Sequence, residues 1–132
     1  MRPLSASTGR DRGSAVVDFV LIMMLLVPLV LGIAQVALVL HVRNTLSAAA
    51  SEGARASAPL GATPADGAAR TRSMIRQAVA DRYARDVSAS WTTVGGLPGA
   101  VVEVRTRVPA LGLLGPSVSL IVRGHAVREI AP

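Results

Sequence analysis

The chain has no cysteine, no lysine and only three aromatic residues, Phe19, Tyr83 and Trp91, among its 132 residues. Without cysteine there is no disulfide framework, no thiolate metal site and no cysteine nucleophile, and the compartment stays open. Histidine is nearly as scarce, and His41 and His125 alone do not make a typical zinc site. The glycine-rich "GGLPG", Gly95–Gly99, lacks a following Lys-Ser/Thr and reads as a turn, not a phosphate cradle. Fourteen arginines against eight acids give a net charge of +6. They are scattered in ones and twos, and so few aromatics cannot supply a stacking platform for single-stranded nucleic acid. With no catalytic constellation in view, an enzyme is not expected, no cofactor or metal is called for, and nucleic acid falls outside the expected partners.

What is present is one long apolar block. Ala15 to Leu40 is 26 residues with Asp18 and Gln35 as its strongly polar interruptions. As a helix it would be about 39 Å long at 1.5 Å per residue, enough to cross a hydrocarbon core of about 30 Å with tilt. So long a helix, apolar all round, has no place in the core of so small a soluble protein. Arg2, Arg10 and Arg12 precede it, so the positive-inside tendency keeps the N-terminus in the cytoplasm and sends the remainder outside. His41 and Arg43 oppose that orientation, but three arginines upstream with no long loop should dominate. The run far exceeds the apolar core of a cleaved secretory signal. A cut at Gly32-Ile33-Ala34 would also leave the apolar Val36–Leu40 at the new terminus.

Asp18 is the costly feature of that block, because a carboxylate within lipid must be compensated. Gly13 and Ser14 stand just ahead of it. A glycine lets an extended backbone lie close against a protease, and a new amine at Ser14 would be a cation one helical turn from Asp18. That amine, or a neighbouring subunit's, can neutralise the carboxylate near the positive end of the helix dipole. The plainer alternative is that Asp18 reaches the headgroups. "RDRGSAVVD" resembles the prepilin layout of type IV pilins and pseudopilins. There a membrane peptidase cuts after a glycine, and an acidic residue, normally glutamate, is the fifth of the mature chain; here the acid is aspartate.

Past the span, "HVRNTLSAAASEGAR", His41–Arg55, resembles the motif block of TadE-like proteins, the minor pilins or pseudopilins of tight-adherence (Flp-type) systems. The likeness covers about residues 10–58. It implies processing at Gly13 and Ser14, charge pairing at Asp18, and a motif of Arg43, Asn44, Thr45, Leu46, Ala49, Ala50, Glu52, Gly53, Ala54 and Arg55. Read from the residues, the block continues the same helix outward. Val42, Leu46, Ala49, Ala50 and Gly53 recur at three-to-four spacing and make a narrow face of small residues. Such a face lets another helix backbone approach closely. It can serve the helix's own domain or a neighbouring subunit. Glu52 and Arg55 can pair at i, i+3.

"APLGATPADG", Ala58–Gly67, ends the helix, and Thr63-x-x-Asp66 with Pro64 reads as a capping box opening a second helix to about Arg85. Ile75, Ala78, Val79 and the stem of Arg82 fall on its inner side. "SASWTTV" and the alternating "VVEVRTRV", Val101–Val108, are strands, the latter with Val102, Val104, Thr106 and Val108 facing one way. A last strand, Val118 to about Val127, places Val118, Leu120, Val122 and Ala126 together. The sheet's apolar face should cover a helix, the outer half of the first. "ALGLLGP", Ala110–Pro116, is an apolar loop that suits headgroups, a partner or the core.

The expected architecture is α+β: a leader at 1–13, a long helix at 14–58 that is transmembrane over about 15–40, a linker at 59–67, and an extracytoplasmic helix plus small antiparallel sheet of about three strands at 68–132. What the resemblance implies is a single-pass protein of the bacterial cytoplasmic membrane, structural or assembly in role. It would be processed after Gly13 by a prepilin peptidase and partnered by other pilins and the pilus machinery, in a filament or beside it. The competing expectation is an uncleaved, signal-anchored envelope protein whose outer domain binds a partner.

Overall fold

A 47-residue helix carries the whole molecule. The computed structural model describes residues 10–110 and 117–130. Helix α1 spans Arg10–Ala56 and passes unbroken through Pro28. The missing N–H of Pro28 leaves the Met24 carbonyl without its helical donor. Helix α2 follows at Pro64–Ala78, then a 3-10 turn, η1, at Asp81–Ala84. Strands β1 (Asp86–Val94), β2 (Leu97–Val108) and β3 (Val118–Val127) form one antiparallel sheet in the order β1-β2-β3. This is the α+β arrangement the sequence predicts: apolar helix, second helix, three-stranded sheet.

Local chemistry explains each boundary. The capping box is complete: the Thr63 hydroxyl accepts from Asp66 N–H at 3.4 Å, and the Asp66 carboxylate accepts from Thr63 N–H at 2.8 Å. The Thr63 hydroxyl also donates to the Asp66 carboxylate at 2.7 Å, and this bond first, then that from Thr63 N–H, holds the Asp66 carboxyl below its ordinary range. Two glycines with positive φ, Gly95 at 58° and Gly96 at 84°, turn β1 directly into β2. That is the backbone a two-residue hairpin demands, so Leu97, Pro98 and Gly99 belong to β2 and not to the expected five-residue turn.

The second helix is shorter than its pattern predicts. It stops at Ala78, and Val79 turns out at φ −133°, ψ −93° while its N–H bonds the Ile75 carbonyl at 2.9 Å. The break tucks Tyr83 and Ala84 into the core, at 3% and 2% exposure. No glycine or proline marks it, so packing overrides local propensity here. The buried stripe consequently lies earlier, at Gly67, Ala68, Thr71 and Ile75; Ala78 and Arg82 are exposed and Val79 is half-buried.

Strand alternation places Val102, Val104 and Val108 inward with Val87 and Val122, all buried against Val42, Leu46, Ala49, Ala50 and Ala54 of α1. Thr106, Leu120 and Ala126 share that face half-buried, and Val118 at its end is exposed. The covering layer is the outer half of α1 over β2 and β3, with α2 over β1. The tail is tied back by a bond from Glu129 N–H to the Ala58 carbonyl at 2.9 Å. The core is thus made of valines and alanines, with Leu46 and Ile75 its largest fully buried side chains.

Candidate functional site

Helix α1 divides into two unlike parts. Every residue from Gly13 to Gln35 is exposed except Met23 and Gln35, which are half-buried. The exposed side chains include Phe19 at 60%, Met24 at 75% and Leu25 at 74%. Residues 13–34 rise about 33 Å as a helix, the thickness of a hydrocarbon core to within a few ångströms. At Gln35 the surroundings change: its side-chain amide donates to the Pro109 carbonyl at 3.2 Å. Leu38 and Val39 then pack against the core, and Val42 is 1% exposed. The boundary between bare and covered helix is therefore set at the level of Gln35 and the end of β2.

The processing residues lie at the bare end. Gly13 and Ser14 are helical and exposed, and a Cβ on Gly13 would meet nothing within 4 Å. The helix thus begins at Arg10, ahead of the expected leader boundary, and residues 1–9 of the leader lie outside the described residues. Asp18 is exposed one turn beyond Ser14.

The covered end contains the motif block. Leu46, Ala49, Ala50, Gly53 and Ala54 are buried, whereas Arg43, Asn44 and Arg55 are exposed and Thr45 and Glu52 half-buried. The Thr45 hydroxyl donates back to the His41 carbonyl at 2.9 Å. Glu52 and Arg55 approach to 3.9 Å across an exposed i, i+3 pair, which contributes little in water.

Small residues here permit backbone contact within one chain. A Cβ on Gly53 would stand 1.9 Å from Thr71 Oγ1 and 2.6 Å from the Gly67 carbonyl oxygen. A Cβ on Gly67 would lie 2.5 Å from the Gly53 carbonyl oxygen. The two helices touch at this glycine pair. Thr71, fully buried, shares its hydroxyl hydrogen between the Gly67 carbonyl at 2.9 Å and the Ala49 carbonyl of α1 at 3.2 Å. On the other side, a Cβ on Gly124 of β3 would fall 2.3 Å from Ala50 C and Ser51 N. Sequence reasoning missed Gly67, Thr71 and Gly124. A lone glycine interrupting the Leu120–Val122–Ala126 alternation was the available signal, since such a glycine marks close backbone approach.

With this geometry in view, the comparison with known families is direct. Residues 13–55 match the TadE family, described as TadE-like protein. Over residues 13–55, the chain is TadE-like. The match opens on Gly13 and closes on Arg55, so it spans the bare span and the helix end buried under the domain. No curated protein and no solved structure matches the chain. The TadE-like segment also supplies the helix long and apolar enough to cross a membrane. Among the described residues no group of three or more His, Cys, Asp or Glu is placed to hold a metal ion.

Away from the helices, the open face of the sheet carries a charge cluster. Glu103 lies between Arg123 and Arg105 and pairs with both. Arg123, then Arg105, hold its carboxyl below the ordinary range, and Glu103 in turn raises Arg105. A depressed carboxylate stabilises the fold above its unfolded range and loses that contribution as pH falls through the folded value. Wild-type protein and a Glu103→Gln variant should therefore differ most in thermal midpoint near neutrality and converge under acid. A difference unchanged from neutral pH to acid would show that the pairing has no effect on stability.

Proposed function

We propose that the chain is a pseudopilin or minor pilin of a tight-adherence pilus or related secretion filament. Its span lies in the cytoplasmic membrane with the N-terminus inside and the sheet-bearing head outside. A prepilin peptidase removes residues 1–13, and the amine released at Ser14 pairs with Asp18, in its own chain or in a neighbour. The observation that carries this reading is the joining, in one helix, of a lipid-length bare segment to a helix end packed within the head, over the stretch that matches the family. The arginines at positions 2, 10 and 12 support the orientation.

Because Gly13 is helical, cleavage needs the first turn to unwind. Glycine lowers that cost, and helix ends fray readily. The exposed, uncrowded setting of Gly13 makes the bond accessible once it does so.

Mass spectrometry of the chain purified from cells with and without the peptidase tests the reading. The expected product with peptidase begins at Ser14, and Gly13→Leu keeps the full-length mass. Asp18→Ala should still be cleaved yet fail to co-purify with the pilus components. An intact N-terminus in peptidase-containing cells would point instead to a signal-anchored binding protein.

A further inference from the structure

The head carries a groove where β1 stops short of its neighbours. β1 begins at Asp86 opposite Arg105, so Thr106–Val108 of β2 run past it, and η1 fills in beside them. Arg82, Arg85, Arg105 and Arg107 line this groove, with Asp86 the one acid among its lining residues. Glu103, two residues from Arg105 on β2, is already engaged by Arg105 and Arg123. Arg85 and Arg107 form no ion pair among the described residues, and the Arg82 guanidinium lies over the Tyr83 ring, 5.2 Å from its centroid. Arg105 is thus already paired, and Arg82, Arg85 and Arg107 bring three further cations to a groove whose lining holds one acid, Asp86.

The groove's height above the bilayer follows from two spacings. Gln35 meets Pro109, and Ala50 meets Gly124, which pairs with Val102. Gln35 to Ala50 is about 22 Å along a helix, and Val102 to Pro109 is about 23 Å along a strand. The agreement means that β2 runs nearly parallel to α1, so its residue numbers measure height. Arg107 then lies within about 7 Å of the Gln35 level and Arg105 within about 13 Å. The headgroup layer on each side of the hydrocarbon is roughly 5–8 Å deep, and arginine stems reach readily toward it. Val118, 37% exposed, pairs with Val108 on the other face of the sheet, the one that covers α1.

We propose that this groove binds the phosphate of an anionic phospholipid in the leaflet on the head's side of the membrane. Guanidinium forks suit phosphate oxygens bidentately, and basic groups at a membrane surface favour anionic over zwitterionic lipid. Seating a lipid there would hold the head upright against α1's exit from the bilayer. The inference rests on reading residues 13–34 as the span, but not on which side the head occupies.

The test uses the full chain. Native mass spectrometry from detergent containing equal phosphatidylglycerol and phosphatidylcholine should show preferential phosphatidylglycerol adducts, by about fivefold per contributing arginine. Arg85→Gln/Arg107→Gln, with an unchanged thermal midpoint, should abolish most of the preference, while Arg70→Gln on exposed α2 leaves it intact. No preference in the wild type, or equal loss with Arg70→Gln, overturns the proposal. Millimolar inorganic phosphate that displaces the lipid adducts completely would assign the groove to a soluble anion and also overturn it. Flotation with phosphatidylcholine vesicles after an alkaline wash separates the two readings. A chain that floats without lipid preference keeps its span and loses the groove assignment; one that fails to float loses both.

Discussion

Alanine at Gly124 is expected to lower the stability of the head by about 3 kcal/mol, at the upper end of the range for overpacked sites. The added carbon would fall 2.3 Å from Ala50 C and Ser51 N and 2.4 Å from the Ala50 carbonyl oxygen. These are backbone atoms of a helix, so no side-chain rotation relieves the clash. Helix α1 must instead lift from β3, which uncovers Val122 and the fully buried Val102 and Val104 beside it. Thermal unfolding in detergent, followed by strand circular dichroism, should show a fall of about ten degrees or more. Gly32→Ala is the matched control, because a Cβ there meets nothing within 4 Å and alanine favours helix. A Gly124→Ala midpoint equal to that of Gly32→Ala would mean that α1 does not lie on β3.

Leu46→Ala should have a comparable effect for a different reason. Leu46 is 0% exposed and is among the largest fully buried side chains in a core otherwise made chiefly of valine and alanine. Truncation removes its transfer energy and leaves a cavity that small, stiff neighbours cannot refill, which costs about 3 kcal/mol. Arg43→Ala and Asn44→Ala, on the exposed face of the same turn, should stay within about 0.5 kcal/mol. Chemical denaturation of the three variants separates two roles within the TadE-like block. A face whose loss unfolds the head is intramolecular packing. Exposed positions whose loss leaves the head intact but prevents pilus association are the candidates for contact with other subunits.

The parts of this fold that could be read from sequence are those governed by local pattern. The apolar block from Ala15 to Leu40 declares a lipid-length helix. Thr63, Pro64 and Asp66 declare a helix start, and the alternation from Val101 to Val108 declares a half-covered strand. Each signal is set by neighbours within a few residues. What was hidden depends on contacts between distant segments. The helix break at Val79 has no glycine or proline to announce it and follows from the burial of Tyr83 and Ala84. The Gly53–Gly67 crossing and the seat of Gly124 on Ala50 require knowing which backbones meet.

The candidate site divides the same way. Gly13, Ser14 and Asp18 come from the resemblance to the prepilin layout, and all three are exposed on α1. The small-residue stripe left open whether it faced its own domain or another subunit. In the folded chain Leu46, Ala49, Ala50, Gly53 and Ala54 are covered by α2, β2 and β3. The loop at residues 111–116, whose sequence suits headgroups, a partner or the core, lies outside the described residues. Its neighbours Pro109 and Val118 lie at the level of Gln35, which is why the depth of the bilayer edge matters to the head as well as to the helix.

The lack of native cysteine makes that edge directly measurable. Single cysteines placed along residues 10–60 of the membrane-embedded chain, produced in cells without the peptidase so that position 10 is retained, can be tested with a membrane-impermeant maleimide. The account predicts a protected window over about residues 13–34, with ready labelling at positions 43 and 44 on intact cells and at position 10 only after permeabilisation. Labelling in the middle of the 13–34 stretch, or equal labelling of positions 10 and 43 on intact cells, would contradict it.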